Sequence, residues 1–326
     1  MILAIETSCD DTCAAVVAPD GRRALSNVVH TQTEHDRYGG VVPEVASRAH
    51  LERIDGVIER SLADADTDLT DIDRVAVTTR PGLIGALLVG VAAAKGIAYA
   101  RSLPLIPVNH LEGHIAAAYL AEPTLEPPFV ALIASGGHTA LYCVDQNHSM
   151  HLLGETLDDA AGEALDKGAR MLGLGFPGGP ALQKAAHGGD RSRYDFPVAL
   201  KGRDNLNFSF SGLKTSLLYR LKELGEERTR EELPHLAASY EAAVIEALVR
   251  KLARAADLHE APAMVVAGGV AANALLRRTL KESLDIKLVI PPPRLCTDNA
   301  AMIGAAAPHT PAAAYPHYLS LNARSV

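Results

Sequence analysis

The sequence predicts an α/β protein with two duplicated lobes, each of which begins with a strand hairpin. The first hairpin has apolar strands at 1–5 and 13–18 around a polar turn of Ser, Thr and Asp residues. The second hairpin has strands at 129–134 and 140–144 around a glycine-rich turn. Because each hairpin opens roughly half of the 326-residue chain, the two hairpins together indicate an internal duplication.

A third observation concerns a strand, two glycines and a helix near the end of the chain. An apolar strand is predicted at 263–267, followed by Gly268, Gly269 and a helix over 271–283. Such a turn lets the backbone approach a ligand closely and directs the positive end of the helix dipole at it. The two hairpins and this turn are together typical of the actin-like ATPase superfamily (ASKHA, ribonuclease H-like), in which the ligand cleft lies between two lobes.

The same pattern sets the expected domain boundaries. We expect an N-terminal lobe at 1–125 and a C-terminal lobe at 126–297, the latter with an inserted helical segment at about 183–260. The region from about 298 to 326 is expected to pack back on the first lobe, although its prolines, from Pro308 onward, favour a loosely ordered tail. The spacing of apolar residues predicts helices at 44–63, 81–101 and 236–256, and a strand at 75–78.

Composition narrows the class of protein. Hydrophobic residues make up 48% and charged residues 21%, as in a soluble globular protein, and the net charge of −8 argues against a uniformly basic nucleic-acid binder. The four cysteines form no CxxC motif, no basic leader precedes the first strand, and the apolar run at 82–94 is too short to span a bilayer. We therefore expect a reduced cytoplasmic protein with no membrane partner.

The strongest local signal is a pair of histidines, His110 and His114. At a spacing of four on a predicted helix, both imidazoles can reach one metal ion, although a pair of core or surface histidines has the same spacing. A zincin protease is excluded, because its HExxH motif needs a Glu directly after the first His, and Glu112 lies two residues on. Asp298 is a candidate third ligand, or else the N-cap of the helix that follows it.

A dense run of glycines at 173–179 follows Asp166 closely in sequence. The glycines can be simple turn residues, but beside an acidic residue they favour a wall that contacts ribose and phosphate, with Asp166 accepting hydrogen bonds from ribose hydroxyls.

The segment 183–222 differs in charge from the rest of the chain. It has eight Lys or Arg residues and three Asp residues, with Tyr194, Phe208 and Phe210 interleaved. Basic residues among aromatic ones are typical of a nucleic-acid surface, and the alternative is a charged helix face that is balanced elsewhere in the fold.

Eight motifs, in the same order along the chain, resemble those of the TsaD family, formerly described as O-sialoglycoprotein endopeptidases. The resemblance covers residues 1 to about 307. The motifs lie at 6–12 (ETSCDDT), 39–48 (GGVVPEVASR), 109–114 (NHLEGH), 135–139 (SGGHT), 158–163 (DDAAGE), 208–214 (FSFSGLK), 268–273 (GGVAAN) and 296–300 (CTDNA).

The resemblance implies a tRNA acyltransferase, which moves the threonylcarbamoyl group of threonylcarbamoyl-AMP to N6 of adenosine 37 in tRNAs that read ANN codons. It assigns one Fe(II) or Zn(II) ion to His110, His114 and Asp298, where the metal would orient and polarise the threonylcarbamoyl group. Asp11, in the first hairpin, is the preferred acidic residue near the reacting centre and could accept the proton of the amine.

The resemblance also implies which residues contact the adenylate, or ATP, ADP or AMP in its place. Gln183 stands where many members of the family have an Asp that helps to bind ribose, and its amide can still hydrogen-bond hydroxyls. The full set expected to contact the adenylate is Ile133, Ala134, Ser135, Gly136, Gly137, Asp166, Gly179, Gln183 and Asn273.

Partners follow from the same resemblance. We expect the anticodon loop of tRNA, a TsaB-like paralogue, a TsaE-like ATPase and a TsaC-type enzyme that supplies the adenylate. The predicted helix at 81–101 is a candidate face for the paralogue, or it packs inside its own lobe.

Three alternatives share the fold. A small-molecule O-carbamoyltransferase would need an extra domain for which 326 residues leave no room, and a kinase would have no use for the histidine pair. A non-catalytic ASKHA scaffold subunit would be expected to lack His110, His114 and Asp298.

Overall fold

The computed structural model describes residues 1–38, 40–175, 177–202, 205–283 and 286–325. Gly39 of the second motif and Arg203 of the basic segment lie outside the described residues. The chain divides into two compact units: unit 1 is Met1–Leu125 with Thr297–Val326, and unit 2 is Glu126–Cys296.

Unit 1 is a sheet covered by helices. Its sheet has the order β3-β2-β1-β4-β5, in which β1 pairs antiparallel with β2 and parallel with β4, and β4 pairs parallel with β5. The strands are β1 (Ile2–Glu6), β2 (Asp11–Val17), β3 (Val28–Thr31), β4 (Arg74–Arg80) and β5 (Leu105–Asn109). The helices are α1 (Pro43–Asp64), α2 (Ile84–Arg101), α3 (His110–Ala121) and, from the C-terminal part of the chain, α9 (Ala300–Ala306).

Unit 2 repeats this plan. Its sheet has the order β10-β9-β6-β7-β8, with β6 antiparallel to β7 and parallel to β9. The strands are β6 (Phe129–Ala134), β7 (Thr139–Val144), β8 (Met150–Glu155), β9 (Ala263–Ala267) and β10 (Lys287–Val289). The helices are α4 (Ala161–Met171), α5 (Gly178–Ala185), α6 (Ser211–Glu231), α7 (Leu233–Leu258) and α8 (Ala274–Ser283).

The two sheets are equivalent strand by strand. An antiparallel meander, β1-β2-β3 in unit 1 and β6-β7-β8 in unit 2, continues through its first strand into parallel strands, β4-β5 and β9-β10. The predicted duplicated α/β fold class is therefore confirmed. Parallel strands end at one edge of a sheet, so each unit presents a single edge at which polar residues can meet.

The core of unit 2 forms around α7. Leu236, Val244, Leu248 and Leu252 of this helix are fully buried at helical spacing, and burial of each such side chain contributes about 1.5–3 kcal/mol. Tyr240 is also buried, and its hydroxyl donates to the backbone oxygen of Ala164 at 2.9 Å. This contact fixes α4 against α7.

Helix α2 is long and apolar enough to cross a membrane, by length and composition alone. Of this 18-residue stretch, 39% is buried inside the protein. Lys95 Nζ donates to the backbone oxygens of Leu319 at 2.9 Å and Leu321 at 2.6 Å. Because a core helix meets the same criterion, one such helix is weak evidence for a membrane protein.

Two local expectations are wrong. The tail is not loosely ordered throughout: Tyr318 is buried, and Ala313 exchanges backbone hydrogen bonds with Leu105 at the edge of the unit 1 sheet. The helix after Gly268 and Gly269 does not begin at residue 271. A 3-10 turn comes first, Gly269–Ala272, and α8 begins only after Asn273.

Candidate functional site

Polar side chains meet at the carboxyl edge of the unit 1 sheet. Strand β1 ends at Glu6, and β5 ends at Asn109, whose side chain accepts the backbone N–H of Leu111 at 2.8 Å and so caps α3. His110 is the first residue of α3, and His114 follows one turn later on the same face. Both histidines are buried.

Close packing of two helices brings the third residue of the cluster to this edge. A Cβ atom at Gly113 of α3 would lie 2.7 Å from Cδ1 of Ile303 in α9, so any larger residue here would displace the Ile303 side chain. Asp298 lies two residues before α9. It is not the N-cap, because Asn299 caps this helix by accepting the backbone N–H of Met302 at 3.0 Å.

The distances fit a single metal ion. Asp298 Oδ1 lies 3.5 Å from His110 Nε2 and 3.4 Å from His114 Nε2, and the ligand atoms of all three residues lie within 4.8 Å of one another. Two ligand atoms at about 2.1 Å from a tetrahedral ion are about 3.4 Å apart. Both ring nitrogens of His114 are buried and make no hydrogen bond with any described residue, although one is this close to Asp298. A metal would satisfy the Nε2 atom, so the residues present fit such an ion.

Glu6 is a contact of this cluster that the sequence analysis did not single out. Its carboxylate is fully buried and accepts hydrogen bonds from the backbone N–H of Ser8 and from Thr78 Oγ1 at 2.5 Å. Its Oε2 atom lies 3.0 Å from His110 Nδ1, and Ser8 Oγ lies 3.1 Å from the same nitrogen. The feature of the sequence that could have identified Glu6 is a single carboxylate at the end of an apolar strand, β1, which is fully buried in the structure.

Burial and neighbouring charges shift the pKa of each histidine in the cluster and of Glu6. Burial lowers the pKa of His110, but the carboxylates of Asp298 and Glu6 outweigh this effect and raise that pKa to about 9. Burial raises the pKa of Glu6, and His110 reverses the effect, so the net shift is downward. The pKa of His114 is lowered, because burial and the charge of His110 together outweigh the opposing effect of the carboxylates of Asp298 and Glu6.

Asp11 opens β2, where it pairs with Thr31 of β3. Burial raises the pKa of Asp11 to about 6, against a hydrogen bond from Thr31 that lowers it, and the charge of Asp298 adds to the rise. One carboxylate oxygen, Oδ1, is buried and has no hydrogen-bond partner in the described part of the chain. The group is thus a stronger base than an ordinary carboxylate.

Unit 2 has a cavity of about 270 Å³ between α4, α5 and the start of α8. This volume is near the lower limit of small-molecule sites, which is about 300 Å³. The cavity is lined by Gly136, Gly162, Leu165, Asp166, Pro177, Gly179, Pro180, Gln183, Gly269, Val270, Ala272 and Asn273.

Five of the nine residues predicted to contact the adenylate line this cavity: Gly136, Asp166, Gly179, Gln183 and Asn273.

Four residues of that predicted set do not line the cavity. Ile133 and Ala134 are fully buried in β6, where their backbones pair with β7. Ser135 closes the turn, since its Oγ accepts the backbone N–H of His138 at 3.0 Å. Gly137 lies in the same turn, beyond the lining.

The polar residues of the lining also hold the wall together. Asp166 Oδ1 accepts the backbone N–H groups of Gly178 at 2.8 Å and Gly179 at 3.3 Å, which fixes the start of α5. Gln183 Oε1 accepts the N–H of Ala274 at 2.8 Å. The side-chain oxygen of Gln183 is therefore used to hold the start of α8, and its side-chain NH2 group is the part that can donate a hydrogen bond to a ligand.

Asn273 caps α8 and is itself positioned by α7. Its Oδ1 accepts the N–H of Leu276 at 2.9 Å, and its Nδ2 donates to Glu241 Oε1 at 2.7 Å. The backbone N–H of Ala274 donates to Gln183, so two backbone N–H groups in the first turn of α8, those of Ala274 and Leu276, already have partners. The helix N-terminus after Gly269 therefore has fewer free amides for a phosphate than its sequence suggests.

Two of the three aromatic residues of the basic segment lie in the core rather than on the surface. Phe208 and Phe210 are 2% and 1% exposed and belong to the core of unit 2, so neither can stack on a base. Tyr194 donates its hydroxyl to Glu232 at 2.9 Å, and Arg193 pairs with the same carboxylate at 3.3 Å. The prediction of a nucleic-acid surface on these three aromatic residues is therefore wrong for the two phenylalanines.

Comparison with known proteins identifies a family whose sequences this chain resembles over most of its length. The profile of the family described as TsaD, tRNA N6-adenosine threonylcarbamoyltransferase, matches residues 23–305. The chain is 52% identical over 309 residues to the tRNA N6-adenosine threonylcarbamoyltransferase of Syntrophus aciditrophicus, covering 93% of this chain and 90% of that protein. It is 51% identical to the protein of the same name from Staphylococcus carnosus, with coverage of 94% and 90%.

Solved structures support the fold. HypF of T. kodakarensis aligns with a TM-score of 0.63 at 15% identity, over 94% of this chain and 46% of HypF. Component A of the (R)-2-hydroxyglutaryl-CoA dehydratase of Acidaminococcus fermentans aligns with a TM-score of 0.55 at 16% identity, over 98% and 99% of the two chains. At such identities the likeness concerns the fold alone.

Proposed function

Because the chain belongs to the TsaD family of tRNA N6-adenosine threonylcarbamoyltransferases, we propose that it transfers the threonylcarbamoyl group of threonylcarbamoyl-AMP to N6 of adenosine 37 in tRNAs that read ANN codons. The enzyme is an acyltransferase that forms threonylcarbamoyladenosine (t6A) in tRNA. The observation that carries the proposal within this chain is the cluster of His110, His114 and Asp298, since a carboxylate and two imidazoles leave positions open for a substrate.

In this proposal, the cluster holds one Fe(II) or Zn(II) ion. When bound, such an ion acts as a Lewis acid that holds and polarises the threonylcarbamoyl group. The chain's own contribution is orientation. Glu6 accepts a hydrogen bond from Nδ1–H of His110, so Nε2, whose proton the ion would displace, is the nitrogen left to bind the ion.

Asp11 takes the proton that the reaction releases. The exocyclic amine of adenosine is a weak nucleophile, because its lone pair is delocalised into the ring. As the bond from N6 to the carbamoyl carbon forms, the bond from that carbon to the phosphate oxygen breaks and AMP leaves. The proton of N6 passes to the Asp11 carboxylate, whose pKa of about 6 keeps it ionised at neutral pH and more basic than usual.

The adenylate occupies the cavity of unit 2. Gly136 and Gly179 have open space where a Cβ atom would stand, so the backbone there can approach a ligand closely. Asp166, with one oxygen committed to α5, has its second oxygen for the ribose hydroxyls, and the amide of Gln183 serves as a donor on the same wall.

In this proposal the enzyme works with other proteins, in the cytoplasm. We assign the supply of adenylate to a TsaC-type enzyme, and turnover to a TsaB-like paralogue and a TsaE-like ATPase. Ile84 and Leu88 of α2 are 43% and 49% exposed, which makes this helix the candidate face for the paralogue. Adenosine 37 lies in the anticodon loop, where it is unpaired, and we place the enzyme in the cytoplasm with its tRNA.

Reconstitution with mass spectrometry tests the proposal. The protein, its partner set, unmodified tRNA, threonine, bicarbonate and ATP should yield t6A after digestion of the tRNA. His110→Ala should abolish the product, whereas His151→Ala, at an exposed histidine paired with Asp145, should not. Product from His110→Ala would contradict the role of the cluster. No product from wild type, with all partners active, would favour a small-molecule carbamoyltransferase or a scaffold subunit.

A further inference from the structure

The first half of α6 has apolar side chains both on its buried side and on its exposed side. Leu213 and Leu217 are 2% and 0% exposed and pack into the core of unit 2. On the opposite side, Leu218 is 43% exposed and Tyr219 is 66% exposed. Among the exposed large hydrophobic side chains that the structure describes in unit 2, Tyr219 is the only aromatic one. An exposed aromatic ring at this position offers a flat face on which a ring of a bound partner can stack.

Lysines flank this ring. Lys214 and Lys222 are exposed, and neither has an ion pair or a side-chain hydrogen bond with another described residue. Eight residues of helix separate their Cα atoms by about 12 Å along the axis, with Tyr219 between them. Lys214, Leu218, Tyr219 and Lys222 together form what we call the α6 face.

The charge on α6 is divided at Gly225. From Ser211 to Lys222 there is no acidic residue, and Arg220 pairs with Glu223 at 2.7 Å. Gly225, with φ of +71°, interrupts the helix, and the part beyond it carries acidic residues, with Arg230 paired to Glu226 at 3.8 Å. The net charge of α6 is therefore positive from Ser211 to Lys222, around the exposed tyrosine, and negative beyond Gly225, in a protein whose net charge is −8.

The α6 face is tied to the wall of the unit 2 cavity. The carboxylate of Asp158 accepts the backbone N–H groups of Phe210 at 2.7 Å and Ser211 at 3.2 Å, and the hydroxyl of Ser211 at 2.9 Å. Gly162, four residues after Asp158, lines the cavity. A short and strongly hydrogen-bonded segment thus links the start of α6 to the place where we put the adenylate.

We propose that the α6 face binds the tRNA substrate, with Lys214 and Lys222 on backbone phosphates and Tyr219 stacked on an unpaired base. This inference rests on the proposed function and adds a docking surface to it. Charge complementarity favours RNA over a protein partner, because two unpaired cations beside an aromatic ring match a single-stranded nucleic acid, which offers phosphates and base faces at alternating positions.

Salt-dependent tRNA binding tests the proposal on the assembled complex. We would measure Kd by fluorescence anisotropy from 50 to 300 mM KCl for wild type and for a Lys214→Ala/Lys222→Ala variant. Loss of two phosphate contacts should weaken binding about tenfold and reduce the slope of log K against log salt by about 1.4–1.8. Tyr219→Ala should weaken binding about tenfold with an unchanged slope, and Tyr219→Phe should retain wild-type affinity.

A charge-matched control lies on the same helix. Arg228→Ala/Arg230→Ala removes the same charge beyond Gly225 and should leave both Kd and slope near wild type. A double-lysine variant with the wild-type slope and Kd would overturn the proposal while t6A formation by wild type still stood. A Tyr219→Ala variant that keeps its tRNA affinity but loses its paralogue would assign the face to a protein. Wild type that neither binds tRNA nor forms t6A would overturn the proposed function as well.

Discussion

The hydrogen bond between Glu6 and His110 offers the sharpest test of the candidate metal centre. Glu6→Gln preserves the size of the side chain but replaces one carboxylate oxygen with an NH2 group. In the structure, one oxygen accepts from the backbone N–H of Ser8, and the other accepts from Thr78 and His110. An amide has only one acceptor oxygen, so one of these two sets must lose its partner.

The expected loss of metal affinity follows from the role of this carboxylate as the partner of a metal-binding imidazole. Replacing the carboxylate that holds a metal-binding imidazole typically weakens metal affinity by 10- to 100-fold. This corresponds to about 1.4–2.7 kcal/mol. We therefore expect Glu6→Gln to bind Zn(II) at least tenfold more weakly than wild type, measured by competition with a chromophoric chelator.

A neighbouring variant separates this effect from a general loss of packing. Thr78→Val removes another hydrogen bond to the same Glu6 oxygen but leaves the carboxylate free to accept from His110. It should keep Zn(II) affinity within about threefold of wild type while losing comparable thermal stability. Equal Zn(II) affinity for Glu6→Gln and wild type, with both folded, would refute the reasoning.

Three further outcomes follow from the structure. Gly179→Val places a side chain in the open space of the cavity and should raise the Kd of AMP at least tenfold by calorimetry, whereas Gly56→Val, on the exposed side of α1, should not. Because the pKa of Asp11 is raised to about 6, this base is protonated below pH 6, and kcat/KM should fall tenfold per pH unit there and stay level above. Asp11→Asn should lose this pH dependence, and its kcat/KM should be lower than that of wild type by a factor of about 10²–10⁴. Tyr318→Phe removes a buried hydroxyl that has no hydrogen-bond partner among the residues that the structure describes, and it should raise the Tm by about 2 °C in calorimetry. A lower Tm would mean that the hydroxyl is hydrogen-bonded in the folded protein.

Much of the fold follows from local pattern. The strand hairpins and the strand before Gly268 were predictable because alternation, apolar runs and turn residues act over a few positions. The same holds for the spacing of His110 and His114, since two residues four apart on a helix share a face whatever surrounds them. Sequence reasoning placed the start of α8 too early, because Asn273 competes with the backbone for the first amide groups.

Contacts between distant residues were outside the reach of local pattern. Phe208 and Phe210 alternate with serines and polar residues as they would on a surface, yet both point into the core of unit 2. Tyr219 lies among the leucines of α6, yet its ring is exposed. Which aromatic ring faces water depends on the helices packed against it, and no spacing within the segment reports that.

The sequence by itself determined the fold class, the family and the types of residue available for chemistry, because these are written in patterns that need only a few neighbours to interpret. Only the tertiary structure decided how those residues meet. The pairing of β1 with β4 and of β4 with β5 brings Glu6 to His110, 104 positions away, and the close approach allowed by Gly113 brings Asp298 to both histidines. A site that gathers residues from three distant segments forms only when the sheet has set its register and the helices have packed on it.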